Sequence, residues 1–167
     1  MNESYAETSV KRKASPVNYL IKALMIALVV LILLLGSPLF GAFTAIVVML
    51  AVGACVLVFP YLDVEYEYVF CDGQLDFDKI YGGNRRKTAM RIDFENVEMM
   101  APITSHQLDS YNHAQTKTVD YTSGEKDHKV YVAVLRQGEV LTRILFEPNE
   151  KMIAAIKQKA PRKISEY

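Results

Sequence analysis

The side chains whose types could do chemistry fall into a few groups. His106 and His113 lie seven apart with Asp109 between them, and His128 follows further on. Imidazole and carboxylate together can hold a metal ion, but such sites favour tighter spacing or a defined turn. Glu65 with Glu67, and Asp76 with Asp78, place paired carboxylates on one face of an alternating segment, an arrangement that acid–base catalysis can use. On the polar face of a strand such pairs are ordinarily solvated. Ser105 and His106 are adjacent in sequence, which says nothing about the spatial order of nucleophile, base and orienting acid. Arg85, Arg86, Lys87 and Arg91 form a basic cluster beside Gly82-Gly83. They could contact anionic lipid headgroups, at about 1 kcal/mol per basic residue near such a surface, and the glycines would let the backbone approach a phosphate. The plainer reading is a solvated hairpin tip. Lys157, Lys159, Arg162 and Lys163 form a second basic group, where a helix C-terminus favours cations in any case. No phosphate-cradling loop or dinucleotide fingerprint occurs. The sequence therefore offers no catalytic residue, no metal site and no cofactor.

Charge is distributed unevenly around these groups. The chain has 167 residues, with 19 basic and 19 acidic side chains. Ala23 to Leu62 is a run of 40 residues without a charge, whereas Asp63 to Tyr167 carries 15 basic and 17 acidic groups. That division excludes one soluble globule and excludes a disordered chain. A net charge of zero excludes a strongly basic nucleic-acid binder. Two cysteines, Cys55 in the apolar run and Cys71 at the end of an alternating segment, make no disulfide framework and read as free thiols.

Forty apolar residues are too many for one membrane span of roughly 20 residues and suit two. Gly36-Ser37-Pro38 marks the break, because proline lacks a donor and glycine favours turns. The expected spans are 16–35 and 39–60, forming a transmembrane hairpin over 16–61. Ser15 is a good N-cap with Pro16 in the first turn, and Pro60 ends the second span. Tyr19, Lys22 and Tyr61 fall where membrane-interface anchors belong, the tyrosines as aromatic belt and the lysine by snorkelling. Gly41 and Ala45, with Ala51, Gly53 and Ala54, offer small residues for close helix packing. Neither helix has an ionisable group at mid-depth, which favours an anchor over a transporter. Lys11, Arg12, Lys13 and Lys22 precede or begin the first span, so both termini are expected in the cytoplasm, with residues 1–15 a cytoplasmic leader. A signal peptide over Lys11–Leu35 lacks an A-x-A site. Val52-Gly53-Ala54-Cys55 resembles a lipoprotein cleavage box only loosely.

From residue 62 to 167 the period changes to two, which predicts a cytoplasmic β domain. Val64 to Cys71 and Gln74 to Tyr81 read as strands joined at Asp72-Gly73, a strong hairpin signal. Gly82-Gly83-Asn84 turns the chain again. Ala89–Phe94, Val97–Ala101, Thr118–Tyr121, Val130–Val134 and Val140–Phe146 complete about seven antiparallel strands, with a polar loop from Thr104 to Lys117. Pro148-Asn149-Glu150 opens a helix with Met152, Ile153 and Ile156 on one face, and Pro161 stops it. Tyr66, Tyr68, Tyr81 and Tyr131 suit strands that bury a ring and wet a hydroxyl. The fold class is a membrane α-helical hairpin plus a mainly-β domain, a partly open barrel or sandwich with a C-terminal helix.

Seven strands and a closing helix resemble the pleckstrin-homology superfold. With two membrane helices in front they are similar to small bacterial membrane proteins carrying a PH-like domain. The residues that carry the resemblance are Tyr66-Glu67-Tyr68-Val69-Phe70-Cys71-Asp72-Gly73-Gln74-Leu75, Met90-Arg91-Ile92-Asp93-Phe94-Glu95-Asn96-Val97, and Phe146-Glu147-Pro148-Asn149. The opening, Met1 to Tyr5 followed by Lys11-Arg12-Lys13, looks like that of small membrane proteins from Gram-positive bacteria. The resemblance implies a fold and an anchored topology, and no activity. Phosphoinositide-binding members use basic residues between their first two strands. Here that turn is Asp72-Gly73, so the property is not carried over.

The expectation is a membrane-anchored, non-enzymatic binding module at the inner membrane face. It would contact a protein partner or anionic headgroups, through a strand edge or the Thr104–Lys117 loop, with the lipid bilayer itself the first partner. The alternative is an accessory subunit of a larger transport or secretion complex. A tethered hydrolase using His106, His113 or the paired acids is the weakest reading.

Overall fold

The computed structural model describes residues 5–111, 116–138 and 140–165. In chain order the elements are β1 (Tyr5–Lys11), α1 (Pro16–Phe40), α2 (Phe43–Leu62), β2 (Val64–Cys71), β3 (Gln74–Tyr81), β4 (Arg85–Asp93), β5 (Val97–Pro102), β6 (Lys117–Asp120), β7 (Tyr131–Gln137), β8 (Val140–Phe146) and α3 (Glu150–Lys159). Short 3-10 turns occupy Phe94–Asn96 and His106–Tyr111.

The two apolar helices differ from expectation in their bounds. Helix α1 continues through Gly36, Ser37 and Pro38 to Phe40, and the turn falls at Gly41-Ala42. A proline in the last turn removes a single helical hydrogen bond, and the Gly41 amide still reaches the Ser37 carbonyl at 3.1 Å. Gly41 takes the left-handed φ of 53° that the reversal requires. Gly36 instead makes room for the neighbouring helix, since a Cβ there would come within 2.8 Å of Thr44 Cγ2 on α2. The close helix approach therefore rests on Gly36 and Thr44, not on Gly41 and Ala45. Pro60 likewise lies inside the last turn of α2, which runs on to Leu62. At about 1.5 Å per residue the helices are about 37 and 30 Å long, enough to cross a hydrocarbon core. No residue of α1 is buried, and Thr44 alone is buried in α2.

Within the expected leader, residues 5–11 belong to the β domain. Tyr5–Lys11 forms β1 and pairs antiparallel with β2, from Tyr5 opposite Cys71 to Lys11 opposite Glu65. One sheet thus has the order β1-β2-β3-β4, the other β5-β7-β8-β6. Among the described strands all pairs are antiparallel except β6 with β8, which is parallel, where the sequence predicted antiparallel strands throughout. The β2–β3 hairpin is as expected: Asp72 (φ 47°) and Gly73 (φ 97°) both take the positive φ of a type I′ turn.

The inner faces of the two sheets meet in an aromatic core. Tyr68, Phe77 and Phe146 lie edge to face at 5.5–5.7 Å, and Phe77 stacks on Tyr121 at 4.9 Å. Ala6, Phe70, Leu75, Leu135 and Ile144 extend the core, and Met152 and Ile156 of α3 close it. Asn149 caps α3, accepting from the Met152 amide at 2.8 Å. Strand β7 is buried on both faces. Tyr131, Ala133 and Leu135 join the main core, while Val132 and Val134 pack with Ala101 and Leu108 in a second cluster. Leu108 arrives from the stretch expected to be a polar loop.

Because Ala6 is fully buried, Ala6→Asp should strand an unpaired charge in the core. The expected loss is about 3–5 kcal/mol, read as a lower unfolding midpoint of the detergent-solubilised chain. An unchanged midpoint would mean that β1 is not part of the domain.

Candidate functional site

The place where helices meet sheets brings together Lys22, Tyr61 and Arg85. The Asn18 amide donates to the Leu62 carbonyl at 2.9 Å, and Lys22 Nζ meets both Asp63 oxygens at 2.9 Å. Arg12 N donates to the Val64 carbonyl and Lys13 N to the Ser123 carbonyl, at 2.9 and 2.7 Å. Lys22 therefore has a protein partner in Asp63, which sequence spacing did not suggest. Tyr19 stands exposed on α1. Tyr61, on the last turn of α2, packs its ring on Tyr81 at 5.5 Å and accepts a hydrogen bond from Arg85 Nη1 at 2.7 Å. The Gly82 turn presses on the same end of α2: a Cβ on Gly82 would lie 2.5 Å from Pro60 Cβ.

Arg85, Arg86 and Lys87 do not form the hairpin tip that was expected. They open β4, opposite Tyr81, Ile80 and Lys79 respectively. Side chains alternate along a strand, so the run divides between two faces. Arg86 turns to the outer face, where it forms an ion pair with Glu67, a charge contact more than an aligned hydrogen bond, and lies 3.8 Å from Asp78. Arg85 and Lys87 share the other face with Tyr81 and Lys79. Arg91 is held by Asp76 through two 2.6 Å hydrogen bonds, the paired geometry that suits guanidinium and carboxylate. Tyr61, Tyr81, Arg85, Arg86 and Lys87 line a recess of about 350 Å³.

The paired acids have separate fates. Asp76 is neutralised by Arg91. Glu67 and Asp78 are register partners across β2 and β3. Asp78 is buried, and its Oδ1 has no hydrogen-bond partner among the described residues. Burial pushes the Glu67 carboxyl above the usual range; Arg86 pulls it down and Asp78 pushes it up.

Sequence reading missed a second polar cluster. Glu147, buried at the end of β8, accepts from Ser123 N and Ser123 Oγ at 2.9 Å each, and pairs with His128 Nδ1 at 2.6 Å. Nothing in residues separated by 24 positions advertises this. Its members are those of a hydrolytic triad, but their order is not. Serine and acid both meet the same imidazole nitrogen, and Ser123 Oγ donates to the acid. The cluster instead ties the 121–128 loop down, and that loop holds Lys13 ahead of α1. The Glu147 hydrogen bond raises the His128 pKa, opposed by desolvation and helped by the charges of Glu147, Glu125 and Asp127.

The remaining candidates do not assemble. His106 is exposed and lies 3.4 Å from Asp109, and His113 falls outside the described residues. Ser105 Oγ accepts from Gln107 N in a turn. Cys55 and Cys71 are free thiols, and Cys71 is exposed at the end of β2. In the second basic group Lys159 pairs with Asp72 at 2.6 Å, and Lys163 donates to the Phe94 and Glu95 carbonyls.

Two apolar helices, a pair of mainly antiparallel sheets and a closing helix match the expected fold. The profile of the family described as Bacterial PH-like domain (DUF6106) matches residues 2–166. This chain belongs to that family. Comparisons with curated proteins and with solved structures return no match. The match spans β1 and both apolar helices together with the PH-like domain, so the hairpin belongs to the family pattern. Membership supports a binding-module role, and the two apolar helices point to membrane association.

Two measurements follow. Arg86→Gln should destabilise the PH-like domain at neutral pH by about 1–3 kcal/mol, the cost of buried polar groups left unpaired. The loss should shrink at acid pH as the Glu67 carboxyl, which burial holds above the usual range, protonates. His128, whose folded pKa lies above the ordinary value of about 6.5, contributes most below that value and loses the contribution as pH rises through the folded pKa. The difference in unfolding midpoint between wild type and His128→Gln should therefore narrow above about pH 6.5. A difference that does not change with pH would remove the imidazolium–Glu147 pairing as its cause.

Proposed function

We propose that this chain is a membrane-anchored, non-enzymatic binding module that presents its PH-like domain at the cytoplasmic face to a protein partner or anionic headgroups. The observation that supports this above all is the double attachment of the hairpin. Strand β1 enters α1, and α2 leads directly into β2, while β1 and β2 lie side by side in one sheet. Any bilayer that holds the hairpin would thus have both helix ends and the whole domain on one side. The same arrangement speaks against a cleaved signal peptide, because cleavage after α1 would remove the buried Ala6 strand from its sheet.

The cytoplasmic assignment draws on charge. Lys11, Arg12, Lys13 and Lys22 lie before or at the start of α1, while the Gly41-Ala42 turn carries none. Support for a non-catalytic role comes from the family and from the serine, histidine and acid meeting in an order unsuited to nucleophilic attack.

The expected outcome in intact cells is a chain that stays in the membrane pellet after alkaline extraction. A reporter fused after Tyr167 should be active inside the cell, and crosslinking should capture a specific neighbour or lipid. Release into the alkaline supernatant, or a reporter active only outside, would refute the anchored topology.

A further inference from the structure

We propose that the recess between the end of α2 and the β3–β4 hairpin binds the phosphate of an anionic lipid headgroup, with Arg85 and Lys87 as its cations and Tyr61 and Tyr81 as its aromatic wall. This rests on the membrane anchorage proposed above and adds a ligand class and a place.

Position comes first. The recess begins at Tyr61, where the charge-free run ends, and the Pro60–Gly82 contact holds the hairpin tip against that helix end. Phosphates of a bilayer lie just outside the hydrocarbon that such a run would span. The ion pair of Lys22 with Asp63 stands at the same end of the hairpin, where charges leave the apolar zone.

Strand parity then selects the cations. Arg86 and Arg91 are occupied by Glu67 and Asp76 on the outer face. Arg85 and Lys87 face the other way, where among the described residues Lys87 has no ion-pair partner. Lys87 is also in register with Lys79, whose ammonium lies over the Tyr66 and Tyr121 rings at 5.9 and 5.6 Å. Like charges directly opposite on a sheet are destabilising, and an anion beside them relieves that cost.

The chemistry fits a phosphate. The Arg85 guanidinium lies over the Tyr61 ring at 5.7 Å and spends one N–H on its hydroxyl at 2.7 Å. It is thereby held in place with further donors to spare, the fork geometry that phosphate oxygens accept. Tyr61 accepts from Arg85, so its own hydroxyl proton is free to donate. A volume of about 350 Å³ takes a phosphodiester with a glycerol-sized group. A second basic recess, of about 850 Å³ near Lys159 and Lys163, has Asp72, Asp93 and Glu95 in its lining and its lysines already bonded.

The test uses the full chain in nanodiscs made from phosphatidylcholine alone, or from equal parts phosphatidylcholine and phosphatidylglycerol, with retained lipid counted by native mass spectrometry. Wild type should retain phosphatidylglycerol selectively. The double variant Arg85→Gln, Lys87→Gln should lose that selectivity by about tenfold or more, and Tyr61→Phe by a few-fold, while Arg91→Gln keeps it. Equal selectivity in wild type and the double variant, at matched unfolding midpoints, would overturn the proposal. Should the double variant not fold, full selectivity in Tyr61→Phe would overturn it. Displacement of the lipid by inorganic phosphate at equal strength would assign the site to a soluble anion and overturn the lipid assignment. Flotation with phosphatidylcholine vesicles reads the anchor separately: failure there would count against anchorage, whereas flotation without phosphatidylglycerol selectivity would count against the recess alone.

Discussion

A strand that precedes forty charge-free residues pairs with the strand that follows them, and the rest of the architecture depends on that pairing. Closing so long a loop costs entropy that grows only slowly with length. Here most of that cost is met by the hairpin itself. Two antiparallel helices, held close at Gly36 and Thr44, return the chain to its starting point. The Asn18–Leu62 and Lys22–Asp63 contacts then deliver Lys11 opposite Glu65. The apolar hairpin and the polar domain are thus joined by two covalent connections and a seven-residue ladder, in place of one flexible linker. An attachment of that kind fixes which side of the domain faces the helix ends. That is why the Gly82 turn, Tyr81 and Arg85 meet Tyr61.

Electrostatics follow from the same geometry. Strand alternation gives a contiguous basic run two different surroundings, one among carboxylates and one among tyrosines. The outer face balances its acids locally: Arg86 serves Glu67 and Asp78, and Arg91 serves Asp76. The other face leaves Lys79, Arg85 and Lys87 together beside aromatic rings. Away from that recess, Glu147 gathers Ser123 and His128 and steadies the loop that holds Lys13. The helix entry point and this polar cluster are consequently one connected structure, with Lys13 N donating to the Ser123 carbonyl as the link.

Much of the fold was readable because its signals are local. Val64 to Tyr81 announces a hairpin through alternation and Asp72-Gly73, and Asn149-Glu150 announces α3 by its cap. The family resemblance was readable in these same segments. Strand β1 was not, because its inward side chains are Ala6, Thr8 and Val10. Their burial depends on a neighbour more than fifty residues away, and beside Lys11-Arg12-Lys13 they look like a polar leader. The helices run past Pro38 and Pro60, residues whose type suggests a stop, to Phe40 and Leu62. A proline in a last turn costs little when the turn around it stays bonded. The loop at Thr104 looked uniformly polar, yet Leu108 folds back beneath it to cover the outer face of β7.

What residue order alone determined is the division of labour: one uncharged stretch long enough to cross a bilayer twice, and one alternating stretch able to build sheets. Both depend on hydrophobicity and period, which neighbouring residues encode. Only the tertiary structure decided that the first strand lies before the hairpin, which cations remain unpaired, and that a serine, a histidine and a glutamate meet. Those outcomes depend on register and on approach between distant segments, and these are settled only when the whole chain packs.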